Sequence, residues 1–308
     1  MLGVHIIWFR DDLRVHDHAA LRAACQNAER DGAGVLALYI LPKGTRFISR
    51  FLYDGLRDLQ TALDRRGAQL HVRYGTPIEV LSDLHRAHRV LSVQAHEASD
   101  VSQVDRDVEA WAMRAGLPYR VYQQFGPLPT ASDFFDADSS WEAFMSEPRR
   151  EASDIANSAN IGVGAWPEPE ETVASSAYSA SPSQGGRKAA IQLLRAILAA
   201  PGSSSTDSQP PESGAAAYQT LAPYLERGML SVREAWQAAI SARQQSVQAG
   251  QEIRAAMIAS FIQGLPTLHL EKHPRRQGPR RLAPRGNGAS PQQAGAQLSL
   301  GFAEPRRG

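Results

Sequence analysis

Residues 4–21 read Val-His-Ile-Ile-Trp-Phe-Arg-Asp-Asp-Leu-Arg-Val-His-Asp-His-Ala-Ala-Leu. An unbroken apolar run passes into a charged turn and then into a helix start, the pattern of a buried strand feeding a βα connection. Further strand-like runs at 34–40, 69–73, 89–94 and 118–122 alternate with amphipathic helical stretches near 18–31, 46–66, 76–87 and 101–115. This alternation predicts an α/β fold, a doubly wound, five-stranded parallel sheet. In such sheets ligands sit outside the carboxyl ends of the strands, at the point where strand order reverses. Residues 10–14 occupy that edge.

Composition changes after Trp141. Ser, Glu, Pro, Ala and Asn dominate 146–186, and a second such stretch covers 201–213. Both read as linkers or mobile loops. Helical segments are expected over Arg187–Ala199, Tyr218–Arg243 with a break at Gly228, and Gln251–Gln263. The organisation is therefore a sheet domain over 1–145, a linker over 146–186, a small helical subdomain over 187–270 and a basic tail over 271–308 that lacks core-forming residues.

Of the 308 residues, 43% are hydrophobic and 21% charged, which suits a soluble protein with one or two ordinary cores. No apolar run approaches the roughly 20 residues of a membrane-spanning helix, and no secretion signal precedes Val4, so a cytoplasmic location with no membrane partner is expected. The net charge of +1 conceals an asymmetry. The tail holds eight Lys/Arg and two Glu, or +6, leaving 25 basic and 30 acidic residues, or −5, on the body. Cys25 is the single cysteine, so no internal disulfide forms, and it reads as a buried helix residue. His5, His16 and His18 are irregularly spaced, and no metal site is expected from them.

Arg10, Asp12 and Arg14 alternate in charge, which suits an ion-pair network at the turn. Asp17 is placed to cap the helix that follows, its carboxylate accepting from free backbone amides.

The opening segment resembles the WFRxDLRxxDxxAL signature of the photolyase/cryptochrome family, light-dependent flavoproteins that repair or sense DNA. Gly67 to Pro77 resembles a second family segment, and Asp105-Arg106-Asp107-Val108 falls where the family's Arg-Asp-x-x-Val helix belongs. Counting back from Arg106 puts Glu97 and Asp100 at the Asn and Glu of the family's N-x-x-E-P segment. In relatives that edge holds an antenna chromophore such as a folate or deazaflavin. The resemblance thus makes Arg10, Asp12, Glu97 and Asp100 candidate antenna-edge residues, with Arg14, Asp17, Arg106 and Asp107 structural.

In the helical part, residues 221–236 resemble the family's LSPYLxxGxxSxRxxW helix pair. Flavin-binding relatives carry Thr-Ser-x-Leu-Ser just before it, where hydroxyls and amides hold the FAD phosphates. Here those positions read Tyr218-Gln219-Thr220-Leu221-Ala222, with most hydroxyls gone. The family's next block corresponds at best to the stretch beginning Glu252-Ile253-Arg254, where its Trp and Glu are missing. The resemblance therefore implies an FAD-type helical domain, truncated and diverged, with no catalytic residue assignable.

Near the C-terminus, Gln297-Leu298-Ser299-Leu300-Gly301-Phe302 resembles the peptide by which bacterial polymerases and repair proteins dock on the sliding clamp. An amide anchor, Gln297, followed by Leu298, Leu300 and Phe302 on a tethered arm, suits groove binding. The basic stretch 272–285 suits DNA phosphate contacts.

Three functions follow. The first is a photolyase-like protein unable to repair DNA alone, acting as a repair accessory or chromophore binder. The alternatives are a light-dependent photolyase whose FAD site is noncanonical or completed by a partner, and a noncatalytic clamp adaptor.

Overall fold

The computed structural model describes residues 2–98, 103–127, 137–155, 157–159, 161–170, 184–199 and 214–266. Five strands form one parallel sheet: β1 (Val4–Phe9), β2 (Gly34–Leu41), β4 (Leu70–Tyr74), β5 (Val90–His96) and β6 (Tyr119–Tyr122). Their order is β4-β2-β1-β5-β6, so the chain winds outward from β1 in one direction and then in the other. The predicted α/β, doubly wound five-stranded parallel sheet is therefore observed. Register runs Ile7 to Ala37 between β1 and β2, Tyr39 to Val72 between β2 and β4, and Trp8 to Ala95 between β1 and β5.

Every residue of β1 is buried, as expected of a central strand covered on both faces. Alternation sorts its side chains into two cores. Val4, Ile6 and Trp8 pack with Leu36, Leu38 and Val93 on one face. Ile7 and Phe9 face the other, joined by Leu13, Leu56 and Leu59, and this core continues into Met229, Leu230 and Trp236 of the helical part.

Helices α1 (Ala19–Asp31), α2 (Arg50–Asp64), α3 (Pro77–Ala87) and α4 (Gln103–Ala115) flank the sheet. Along α2, Phe51, Leu56, Leu59 and Leu63 recur at helical spacing and are buried. Helix α2 starts at Arg50, later than the sequence pattern suggests, because Phe47–Ile48 (β3) pairs in parallel with Glu168–Pro169 (β7). Helix α5 (Ala137–Ser146) precedes a helical part made of α6 (Arg187–Leu198), α7 (Gly214–Glu226), α8 (Val232–Gln248) and α9 (Glu252–Gly264). The break expected at Gly228 lies between α7 and α8, with φ +59°.

The described residues of 147–170 depart from the expected linker. They lie along the sheet domain as an extended strap. Val35 N–H donates to Asn157 O at 2.9 Å, Ile155 N–H to Arg66 O at 2.8 Å and Val72 N–H to Val163 O at 3.1 Å. The polar composition that suggested a loop is compatible with this path, because the strap is held by its backbone. Among the described residues no helix is long and apolar enough to cross a membrane.

Candidate functional site

The charged turn after β1 folds back on itself. Asp12 is fully buried, with Oδ1 accepting the Arg10 N–H at 2.6 Å. Its Oδ2 lies 3.1 Å from His96 Nδ1, at the end of β5, and 2.9 Å from His18 Nε2, at the start of α1. Burial works against the Asp12 carboxylate, yet His18 and His96 hold its pKa well below the usual carboxylate range. Burial lowers the pKa of both imidazoles, that of His96 to about 3.

These three side chains bring potential ligand atoms within 4.8 Å of one another. The Leu21 N–H donates to His18 Nδ1 at 3.0 Å, however, which leaves the proton of the neutral ring on Nε2. His18 Nε2 then has no lone pair for a metal and lies against Asp12 Oδ2, while His96 Nδ1 makes the hydrogen bond to that oxygen. The other two histidines weighed from the sequence lie on separate networks, His5 with Ser92 and Asp31, His16 with Glu151.

His18, rather than Asp17, caps α1, which corrects the expected cap. Asp17 sits at φ +46°, and its Oδ1 accepts from Arg150 N–H at 3.0 Å and Arg233 Nη1 at 2.8 Å. Its carboxylate is turned toward α8 instead of the helix start. Arg14 is equally committed, donating to the carbonyls of His16, Asp17 and Gly228 and to Gln124 Oε1. Arg227 pairs with Asp11 at 3.1 Å, and Leu13 N–H donates to Arg227 O. The turn thus forms a socket for the α7–α8 connection. A Cβ at Gly228 would run into the backbone of Asp11 and Asp12, so the close approach requires glycine.

Arg10 donates to Asp105 at 2.6 Å and to His96 O, and its guanidinium lies over the Trp8 ring. Glu97 Oε1 accepts the N–H groups of Gln124 and Phe125, bracing the turn after β6. Arg10, Asp12 and Glu97 lie together at the sheet edge, where Arg10, Asp12, His18 and His96 fill the crevice between β1 and β5. Arg106 and Asp107 pair with Gln103 on the surface of α4. Asp100 lies outside the described residues, as do Gln297, Leu298, Leu300 and Phe302.

Open space occurs one strand away. A cavity of about 290 Å³ lies at the carboxyl ends of β1, β2 and β4, lined by Trp8, Arg10, Asp11, Tyr39, Ile40 and Gly75 among others. Of these, sequence reasoning singled out Arg10 alone. Tyr39 and Ile40 carry no motif, Gly75 belongs to the Gly67–Pro77 segment without having been assigned a role, and the shared position of the three at strand ends is the signal that could have found them.

The diverged segment 218–222 lies inside α7, which begins at Gly214. Amides from Tyr218 onward therefore fall beyond the first turn and serve the helix ladder. Thr220 Oγ1 donates back to Ala216 O at 2.9 Å. Tyr218, Leu221 and Ala222 are buried in the helical core, while Gln219 is exposed. These five residues do not fit a clamp for FAD phosphates.

Residues 5–125 match the family described as DNA photolyase. The chain is 32% identical over 131 residues to a cryptochrome DASH of Gloeobacter violaceus, covering 38% of this chain and 25% of that protein. It is 34% identical over 119 residues to the deoxyribodipyrimidine photo-lyase of Escherichia coli, covering 35% and 25%. The match thus spans about a quarter of the length of each relative. A solved cryptochrome of Synechocystis superposes with a TM-score of 0.65 at 20% identity, over 90% of this chain and 62% of that one, which extends the likeness in fold beyond the sheet. The charged turn, the parallel sheet and the sequence match agree in likening residues 5–125 to the photolyase/cryptochrome family.

Proposed function

We propose that this chain is a photolyase/cryptochrome-like binder of a planar, light-absorbing ligand, held at the carboxyl edge of the sheet in the position of an antenna chromophore, folate or deazaflavin in class. One observation carries the reading: the cavity bounded by Trp8, Tyr39, Ile40 and Gly75 combines aromatic and apolar walls with a few polar groups at the strand ends. The counterpart is α7, whose residues 218–222 supply no phosphate clamp. Light-driven dimer repair requires a reduced flavin beside a flipped-out lesion. The chain by itself is accordingly proposed as an accessory or sensory member of the family rather than as an autonomous repair enzyme.

The test is reconstitution. Purified protein is incubated with folate, deazaflavin or riboflavin, separated from free ligand, and its absorption recorded from 300 to 600 nm before and after denaturation. A bound chromophore is expected, and Ile40→Trp, which fills the half-buried wall, is expected to remove it without altering thermal melting. Failure of every chromophore to bind overturns the reading. Stoichiometric FAD that survives Ile40→Trp, together with light-dependent repair, would instead establish a photolyase with a noncanonical or partner-completed flavin site.

A second proposal rests on sequence. Gln297, Leu298, Leu300 and Phe302 are proposed to dock on a sliding clamp, with the basic residues of 272–285 contacting DNA, which would bring the chain to sites of DNA synthesis.

A further inference from the structure

The walls of the antenna-edge cavity discriminate between ligands that carry a phosphate and those that do not. In βα folds, a helix start beside the strand ends usually receives a phosphate, through free backbone N–H groups. The helix start that borders this cavity is that of α3, whose Pro77 is part of the lining, and this chain caps it with its own side chains. At α3, Thr76 Oγ1 accepts the Glu79 N–H at 3.3 Å and Glu79 Oε2 accepts the Thr76 N–H at 2.9 Å, while Pro77 has no N–H to offer.

Charge reinforces the closure. Glu79 Oε2 lies 3.3 Å from where a Cβ on Gly75 would stand, so a carboxylate borders the glycine that lines the cavity. Asp11 also lines the wall, but its Oδ1 is engaged by Arg227 at 3.1 Å, which leaves the repulsion to Glu79. Among the cavity's described lining residues Arg10 is the sole cation, and its guanidinium is already engaged by Asp105 and His96 O. Lys43, next to Pro42 at the rim, has its charge opposed by Glu79.

We infer that this edge takes its planar ring in a phosphate-free form and selects against phosphate esters and dinucleotides of the same ring. The inference rests on the chromophore-binding reading and narrows the ligand class. Riboflavin, FMN and FAD share one ring and differ in phosphate, so they isolate the question.

Each is titrated into the full chain and followed by quenching of flavin fluorescence. Riboflavin is expected to bind about tenfold or more tightly than FMN or FAD, from like-charge repulsion and missing donors. Glu79→Gln keeps an acceptor for the Thr76 amide and removes the charge, and it is expected to raise FMN affinity relative to riboflavin by about threefold or more. Equal affinities of the three flavins overturn the inference and leave the chromophore reading standing. An FMN-to-riboflavin ratio unmoved by Glu79→Gln in a variant that melts like the parent also overturns it. Absence of binding by all three flavins and by folate and deazaflavin overturns both.

Discussion

Asp17→Asn tests how the sheet and the helical part are held together. Asp17 is 4% exposed, and its carboxylate accepts from Arg233 of α8 and from the Arg150 amide, with Arg14 close by. Burial by itself would raise its pKa, but Arg14, the Arg150 amide and Arg233 outweigh it and hold the group at about 2, against 3.8 unperturbed. That gap corresponds to about 2.5 kcal/mol of stability at neutral pH. Because the folded pKa is depressed, the contribution is complete above pH 4 and is lost as pH falls toward 2. The asparagine also leaves Arg233, 5% exposed, without its buried counter-ion. Breaking a buried pair from one side costs about 3–5 kcal/mol, so the variant is expected to lose about 3 kcal/mol at pH 7. Urea unfolding is followed by tryptophan fluorescence, with Trp141 and Trp236 in contact at the junction reporting its opening. The gap between the two proteins should narrow from pH 4 to 2. A loss below about 0.5 kcal/mol at pH 7, or a gap unchanged across that window, refutes the reasoning.

Three further outcomes are expected. Gly228→Ala places a methyl group against the Asp11 and Asp12 backbone at φ +59°, and should cost about 2–3 kcal/mol in the same urea assay, whereas a neutral effect would show that the turn can move aside. Cys25, 4% exposed with burial pushing its thiol to about 11, should react with a disulfide reagent at pH 8 about 100-fold or more slowly than free cysteine, and rapid labelling of folded protein would contradict its placement. Replacing Leu300 and Phe302 together with Ala should abolish binding to a sliding clamp in a surface-immobilised assay, and unchanged affinity would remove the motif.

The sheet was legible in the sequence because each strand and helix declares itself locally, by apolar runs such as 4–9 and by the three- and four-residue spacing along α2. The wiring of the turn was legible in kind but not in partner. Arg10, Asp12 and Arg14 looked like an ion-pair network and Asp17 like a cap, yet the partners that Asp12, Arg14 and Asp17 find, His96, Gln124, Gly228 and Arg233, lie 84 to 216 residues away, and no spacing rule reaches that far. The helix cap was misplaced by one residue because an imidazole one position later competed successfully for the amide. The scarcity of hydroxyls over 218–222 was visible in the sequence. Not visible was that α7 begins at Gly214, which puts 218–222 beyond its first turn. The cavity at Tyr39, Ile40 and Gly75 exists only once three strand ends are side by side.

The strap over 157–165 has a bearing on solubility. β4 is an outermost strand of the sheet, and an outermost strand offers unpaired amides on which another chain can polymerise. Val163 O takes the Val72 amide, Ala165 O takes the Tyr74 hydroxyl and Arg73 reaches Gly162 O, so the strap stands where a neighbouring molecule's strand would otherwise add. Proteolytic cleavage within it would leave the sheet nearly intact while uncovering an adhesive border, on which aggregation would begin before unfolding.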